Sequence, residues 1–257
     1  MKKNSNNNFN NNFIIGRNSV LEALKSNSEI NFIICSGKVP AEISKIASKK
    51  RILIKYCDHK KLDFMFKNLN HQGIIAQISS RKYVEIEDII NIANKKNQKP
   101  FILILDKIQD PHNFGAIIRT AECMGVHGII ISKRRSASIT PTVEKCSCGA
   151  LSYIKICRVD NLNRTCEILK KNNIWICGTD SIGENFNKLS DFFRAPIALI
   201  IGSEGKGMSS SMKKQCDVIA SIPMQGKINS LNASVAAGIF MQKIAEERFL
   251  FNFFALN

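Results

Sequence analysis

Residues 196–208 read Pro196-Ile197-Ala198-Leu199-Ile200-Ile201-Gly202-Ser203-Glu204-Gly205-Lys206-Gly207-Met208. Five consecutive apolar side chains run into a polar loop with three glycines. An unbroken apolar run of this length suits a strand buried on both faces of a parallel sheet, and glycines at its end let backbone approach a ligand closely. Similar runs recur on either side: Phe101–Leu105, Gly128–Ile131, Tyr153–Cys157, Ile174–Cys177 and Val218–Ile222. Helical stretches fall between or after them, at Asn113–Met124, Leu162–Asn172, Ser209–Cys216 and Asn232–Arg248. The alternation predicts an α/β fold with a mostly parallel sheet. In such sheets ligands bind beyond the carboxyl ends of the strands.

Upstream of Phe101 the texture is different. Residues 1–12 form an Asn-rich polar tail expected to be disordered. Residues 13–79 read as a small α/β unit, with helices over Ser19–Leu24 and Ala41–Lys49 and strands over Asn31–Cys35, Arg51–Tyr56 and Gly73–Ile78. Residues 80–99 are charged and end in Asn97-Gln98-Lys99-Pro100, which reads as a linker. Residues 100–257 form the second domain.

The chain has 257 residues, of which 44% are hydrophobic, enough to bury a core and too many for a disordered chain. No apolar run approaches the roughly 18–20 residues needed to span a bilayer, and the aromatic ending Phe249, Phe251, Phe253, Phe254 is expected to pack against the core or a second copy. The formal charge is +16. Phosphates reward such a surface through counterion release, so a polyanion is the expected partner. Residues 1–99 carry 18 basic and 8 acidic side chains against 19 and 13 in residues 100–257, so the shorter front section supplies much of the grip. The nine cysteines are irregularly spaced with no C-x-x-C pair, and the tail lacks an apolar leader segment. Reduced thiols in a cytoplasmic protein, acting as small buried hydrophobes, are expected, with no metal site.

Three strand-end loops carry the chemistry. The first, Asp106 to Ala121, includes Asp110-Pro111-His112-Asn113-Phe114-Gly115-Ala116-Ile117-Ile118-Arg119. Asn113 stands where a helix cap is wanted, and Arg119 follows about 1.7 turns later. The second is the loop Gly202–Met208, whose G-x-x-G-x-G order is neither a phosphate loop nor a dinucleotide fingerprint. A nucleotide hydrolase is thereby disfavoured. The third is Ile222-Pro223-Met224-Gln225-Gly226-Lys227-Ile228-Asn229-Ser230-Leu231-Asn232-Ala233, leading into a helix rich in small residues, with Ser230 and Asn232 as candidate caps.

As an ordered set these loops resemble the three motifs of the SpoU (TrmH-like) branch of the SPOUT RNA methyltransferases. The front section resembles that family's L30e-like substrate domain through Ile15-Gly16-Arg17-Asn18-Ser19-Val20 and His71-Gln72-Gly73-Ile74, although Asn18 stands where relatives often have His. Within the family the chain is most similar to bacterial enzymes that methylate a guanosine 2′-hydroxyl of 23S ribosomal RNA, a likeness strengthened by Cys148-Gly149-Ala150 and Ile174-Trp175-Ile176. The resemblance implies S-adenosylmethionine as methyl donor, a C-terminal trefoil knot, and a homodimer whose site is completed across the interface. It implies cofactor contacts at Gly202, Ile222, Leu231, Gly205 and Met224. It also implies Arg119 as leading catalytic residue with Asn113, Glu204, Ser230 and Asn232 around it, while His71 and His112 take structural or substrate roles. The alternatives are a transfer-RNA or different ribosomal target, and a catalytically silent RNA-binding assembly protein.

Overall fold

The computed structural model describes residues 13–25, 29–66, 69–79, 82–228 and 230–255, with side chains to residue 248. The tail 1–12 and the side chains of Phe249, Phe251, Phe253 and Phe254 lie outside the described residues. The chain divides into two units, Met1–Lys82 with Ser138–Pro141, and Tyr83–Ala137 with Thr142–Asn257.

The first unit runs β1 (Phe13–Ile15), α1 (Arg17–Lys25), β2 (Ile30–Cys35), α2 (Ala41–Lys49), β3 (Leu53–Tyr56), α3 (His59–Met65) and β4 (Ile74–Ile78). Its sheet has the order β1-β4-β2-β3, with β2 and β3 parallel and the other pairs antiparallel. Val20, Leu24, Ile43 and Ala47 of the two longer helices close over Ile33, Ile74 and Ala76. Leu62 and Phe66 cover Ile75. The sequence gives no expectation of β1 or α3. β1 has three residues, and α3 buries only Leu62, so neither shows a period.

The second unit begins earlier than expected. The stretch 80–99, read as a linker, contains α4 (Ile86–Lys95), whose Ile86, Ile89 and Ala93 are buried. Its charges lie on the solvated face of an amphipathic helix, and that helix belongs to the second core. There follow β5 (Phe101–Asp106), α5 (Pro111–Cys123), β6 (Gly128–Ser132), α6 (Pro141–Cys146), β7 (Lys155–Val159), α7 (Leu162–Lys171) and β8 (Trp175–Asn185). The chain ends with α8 (Ser190–Arg194), β9 (Ile197–Gly202), α9 (Ser210–Lys213), β10 (Val218–Ser221) and α10 (Ala233–Ala255).

The six strands form one sheet in the order β10-β8-β9-β5-β6-β7, and every pair is parallel. All six residues of the central strand β5 are buried, as its unbroken apolar run requires. On one face Ile102, Ile104, Ile130 and Ile200 pack against Ile89 of α4, Leu169 of α7 and Met212 of α9. By strand alternation Leu103, Ile129 and Leu199 point to the opposite face. There α10 packs against α5, α8 and β9. Arg248 fastens α10 to the amino end of the sheet, donating to the carbonyls of Phe193, Lys99 and Pro100 at 3.0, 2.9 and 3.0 Å. Burial pulls its guanidinium down to about 10. All nine cysteines are free thiols. Burial pushes Cys157 and Cys166 up to about 12, so these two pack as inert small hydrophobes.

His127 lies just before β6 and is buried. Its Nδ1 accepts the Phe101 amide at 3.0 Å, which places the proton on Nε2, 3.0 Å from Gln98 Oε1. Burial, then Lys96 and Arg248, lower the imidazole from 6.5 to about 4. The unfolded chain therefore binds a proton that the fold refuses between these values, so stability rises with pH across that window and is lost on acidification. The urea midpoint, followed through the single tryptophan Trp175, is expected to fall between about pH 6.5 and 4, and to fall less in His127→Asn. Identical pH slopes in both proteins would remove His127 as the cause.

Candidate active site

Past the carboxyl ends of β9 and β10 lies a cavity of about 320 Å³. Its size is at the lower end of the range of roughly 300–1,000 Å³ usual for small-molecule sites. One wall is the loop that follows β9, Ser203 to Gly207; another is the chain from Ile222 to Leu231 that leads into α10. The loop folds back on itself: Gly207 N donates to Ser203 O at 2.8 Å, and Ser203 N donates to Gly207 O at 3.1 Å. All five residues expected to hold a cofactor, Gly202, Gly205, Ile222, Met224 and Leu231, line this one cavity, together with Glu204 and Ser230. Apolar walls come from Ile201, Ile222, Met224, Leu231 and Phe240.

At the rim three polar side chains meet. Asn113 Nδ2 donates to Glu204 Oε1 at 2.5 Å, and Asn232 Nδ2 donates to the same oxygen at 2.7 Å. Asn232 Nδ2 also lies 3.1 Å from Asn113 Oδ1. Two neutral amides thus fix one carboxylate oxygen of Glu204. No hydrogen bond to its other oxygen is found among the described residues.

Local sequence explains how each is placed. Asn113, expected as a helix cap, is not one: Asp110 caps α5, accepting from His112 N at 3.1 Å and Asn113 N at 3.3 Å. Pro111 at the first helical position shifts the start upstream, so the Asn113 side chain is released to reach Glu204. Asn232 is a cap, its Oδ1 accepting from Ser234 N at 2.9 Å and Val235 N at 3.3 Å. Its Oδ1 therefore holds α10 while its Nδ2 holds Glu204. Ser230 is exposed on the cavity wall.

Arg119 stands apart from this cluster. Six residues after Asn113, it lies about 240° around α5. It is exposed, and its Nη1 donates to Cys148 Sγ at 3.5 Å. Two cavity residues escaped sequence reading, Asp180 of β8 and Lys213 of α9, which form an ion pair with Nζ 2.6 Å from Oδ2. Burial raises the Asp180 carboxyl, but Lys213 and the Ile182 amide outweigh it and hold the group below its usual value. In the first unit, His59, Asp63 and His71 bring ligand-type atoms together. Gly73 N donates to His71 Nδ1 at 3.0 Å, so His71 Nε2 carries the proton that points at Asp63 Oδ1, 2.7 Å away. The trio is joined by hydrogen bonds from both histidines to Asp63.

A cavity beyond the carboxyl ends of the strands is where open α/β sheets bind their ligands, and here the sheet is joined to a small basic unit. Residues 100–242 match the SpoU rRNA methylase family, and residues 13–84 match the substrate-binding module of RNA 2′-O ribose methyltransferases. The chain belongs to the SpoU family of RNA methyltransferases. It is 44% identical over 241 residues to YacO of Bacillus subtilis, assigned to the TrmH family of tRNA/rRNA methyltransferases, covering 92% of this chain and 96% of that one. Among solved structures, the SpoU methyltransferase AviRb of Streptomyces viridochromogenes with AdoMet bound aligns at a TM-score of 0.59 and 21% identity, over 96% of this chain and 94% of that one. The A. aeolicus TrmH/SpoU tRNA modifying enzyme aligns at a TM-score of 0.56 and 28% identity, over 62% of this chain and 80% of that one.

Asn232→Ala removes both the α10 cap and one amide on Glu204. It is expected to cost about 1 kcal/mol of stability, within the range of lost helix caps, whereas Asn232→Ser keeps most of the cap and loses only the Glu204 contact. Chemical unfolding separates the two; equal losses in both variants would show that the cap is not what Asn232 contributes.

Proposed function

We propose that the chain transfers a methyl group from S-adenosylmethionine to the ribose 2′-hydroxyl of a specific guanosine in 23S ribosomal RNA. The observation that carries the reading is the convergence of all five cofactor candidates on one cavity whose rim holds the amide-fixed Glu204. The residues suit the cofactor: apolar side chains for a nucleoside, and a glycine loop whose backbone is accessible. We assign a deep trefoil knot to the segment that carries the second and third loops, on family grounds. The front unit supports a large folded RNA, since it matches the family's substrate-binding module and bears much of the positive charge. Transfer RNA is the second reading, favoured by relatives assigned to tRNA/rRNA methylation.

When bound, the cofactor supplies an already electrophilic methyl carbon, so the protein's task is to orient the ribose hydroxyl in line and raise its nucleophilicity. The free oxygen of Glu204 would accept the hydroxyl's hydrogen bond and take its proton. A guanidinium holds its proton too tightly to serve well as a base. The role of Arg119 is electrostatic, fixing the phosphate and stabilising the developing alkoxide. Its exposure on another face of α5 supports a homodimer in which the Arg119 of a second copy completes each cavity.

Arg119→Ala is expected to lower turnover by about 100-fold or more while S-adenosylhomocysteine affinity stays within about twofold. Cofactor affinity falling in step with turnover would contradict the assigned role. Mixing Arg119→Ala with Glu204→Gln chains is expected to restore about a quarter of wild-type activity, as each mixed dimer holds one intact site. No restoration would confine Arg119 to its own chain's site.

A further inference from the structure

Asp180 and Lys213 line the cavity, yet the transfer step gives them no task. Their placement depends on an irregular strand. β8 pairs with β10 through Ile219↔Gly178 and resumes at Ala220↔Glu184, so the residues between 178 and 184 leave the ladder. Such bulges re-aim side chains beside sites. This one carries Thr179, Asp180 and Ser181 into the cavity wall. There Asp180 Oδ1 accepts from Ile182 N at 3.2 Å and Ser181 Oγ at 3.3 Å, while Oδ2 faces Lys213 Nζ at 2.6 Å. The glycine loop closes on the same carboxylate: a Cβ on Gly207, whose φ is +61°, would come within 3.7 Å of Asp180 Oδ2. The Asp180 side chain is 14% exposed and that of Lys213 is 42% exposed, so the pair has one sheltered and one accessible member.

The cavity has two other charged side chains, Glu204 and Lys206. Glu204 is engaged by Asn113 and Asn232, and Lys206 is exposed on the loop. Apolar wall comes from Ile222, Met224, Leu231 and Phe240. S-Adenosylmethionine is divided in the same way, into an apolar nucleoside and an amino-acid end with an ammonium and a carboxylate. Taking a zwitterion out of water is costly unless each charge meets an opposite one. A preformed ion pair meets both and adds no net charge.

We propose that the Asp180–Lys213 pair is the subsite for the amino-acid end of the cofactor, Asp180 receiving the ammonium and Lys213 the carboxylate. The inference rests on the reading that S-adenosylmethionine is the methyl donor. It assigns the polar bulge of β8 to cofactor selection and leaves the nucleoside to the apolar wall.

Calorimetric titration of the full chain with two ligands tests this. S-Adenosylhomocysteine carries the amino-acid end; 5′-methylthioadenosine has the same nucleoside and thioether without it. The wild-type protein is expected to prefer the former. Lys213→Met and Asp180→Asn are each expected to weaken S-adenosylhomocysteine by about tenfold or more, with 5′-methylthioadenosine within about twofold. Retained 5′-methylthioadenosine binding also certifies that the cavity is folded, and Lys213, the more exposed partner, gives the variant least able to disturb the fold. Equal losses for both ligands, no loss for either, or a wild-type protein that binds both equally would overturn the subsite and leave the cofactor reading standing. A wild-type protein that binds neither ligand would overturn both.

Discussion

The site depends on how closely the chain passes itself at Gly202. A Cβ there would lie within 3.0 Å of the Gly207 carbonyl carbon and the Met208 nitrogen, and 2.7 Å from Gly207 O. Only glycine lets β9 end and the following loop fold back over its last residue. That return makes one wall of the cavity, turns Glu204 toward Asn113 and Asn232, and delivers the chain to Ser209, whose amide donates to the buried Asp106 at 2.7 Å. From Ser209 the chain enters α9, which ends at Lys213. One close backbone approach thus sets both the rim and the charged wall.

Around that loop, polar groups serve twice. Asn232 caps α10 with its oxygen and holds Glu204 with its nitrogen, so the start of the long helix and the rim of the cavity are one unit. Asp110 caps α5 and thereby frees Asn113. Two neutral amides fix one oxygen of the Glu204 carboxylate. Farther along α10, Arg248 holds the helix to backbone carbonyls, so the helix that frames the cavity is fastened at its start and again at Arg248.

Much of this was legible in the residues. The parallel strands were readable because burial on both faces forbids polar interruptions, as in Phe101–Leu105 and Ile197–Ile201. The cofactor candidates were readable through ordered motifs, and the structure gathers all five of them on one cavity. Other features were hidden for physical reasons. The segment 80–99 looked like a linker because its eight charged side chains outnumber the three that α4 buries. Asn113 looked like a cap because Asp110, three residues before it, competes for the same role. Asp180 was invisible because a bulge within β8 has no residue signature, and Lys213 because its partner lies 33 positions away. The separation of Arg119 from Asn113 follows from helical geometry alone, yet nothing in the spacing indicates what Arg119 faces.

The excess of positive charge and the cavity answer different questions. Charge explains the hold on RNA, and the front section contributes most of it per residue. The proposed chemistry rests on Glu204 and the loop that presents it. The most direct measurement is a mass map of ribose-methylated nucleotides in ribosomal and transfer RNA from cells with and without this gene. The account predicts the loss of one 2′-O-methylguanosine from 23S ribosomal RNA and its return with the wild-type gene. An unchanged ribosomal map, with or without a missing transfer-RNA methyl, would contradict it.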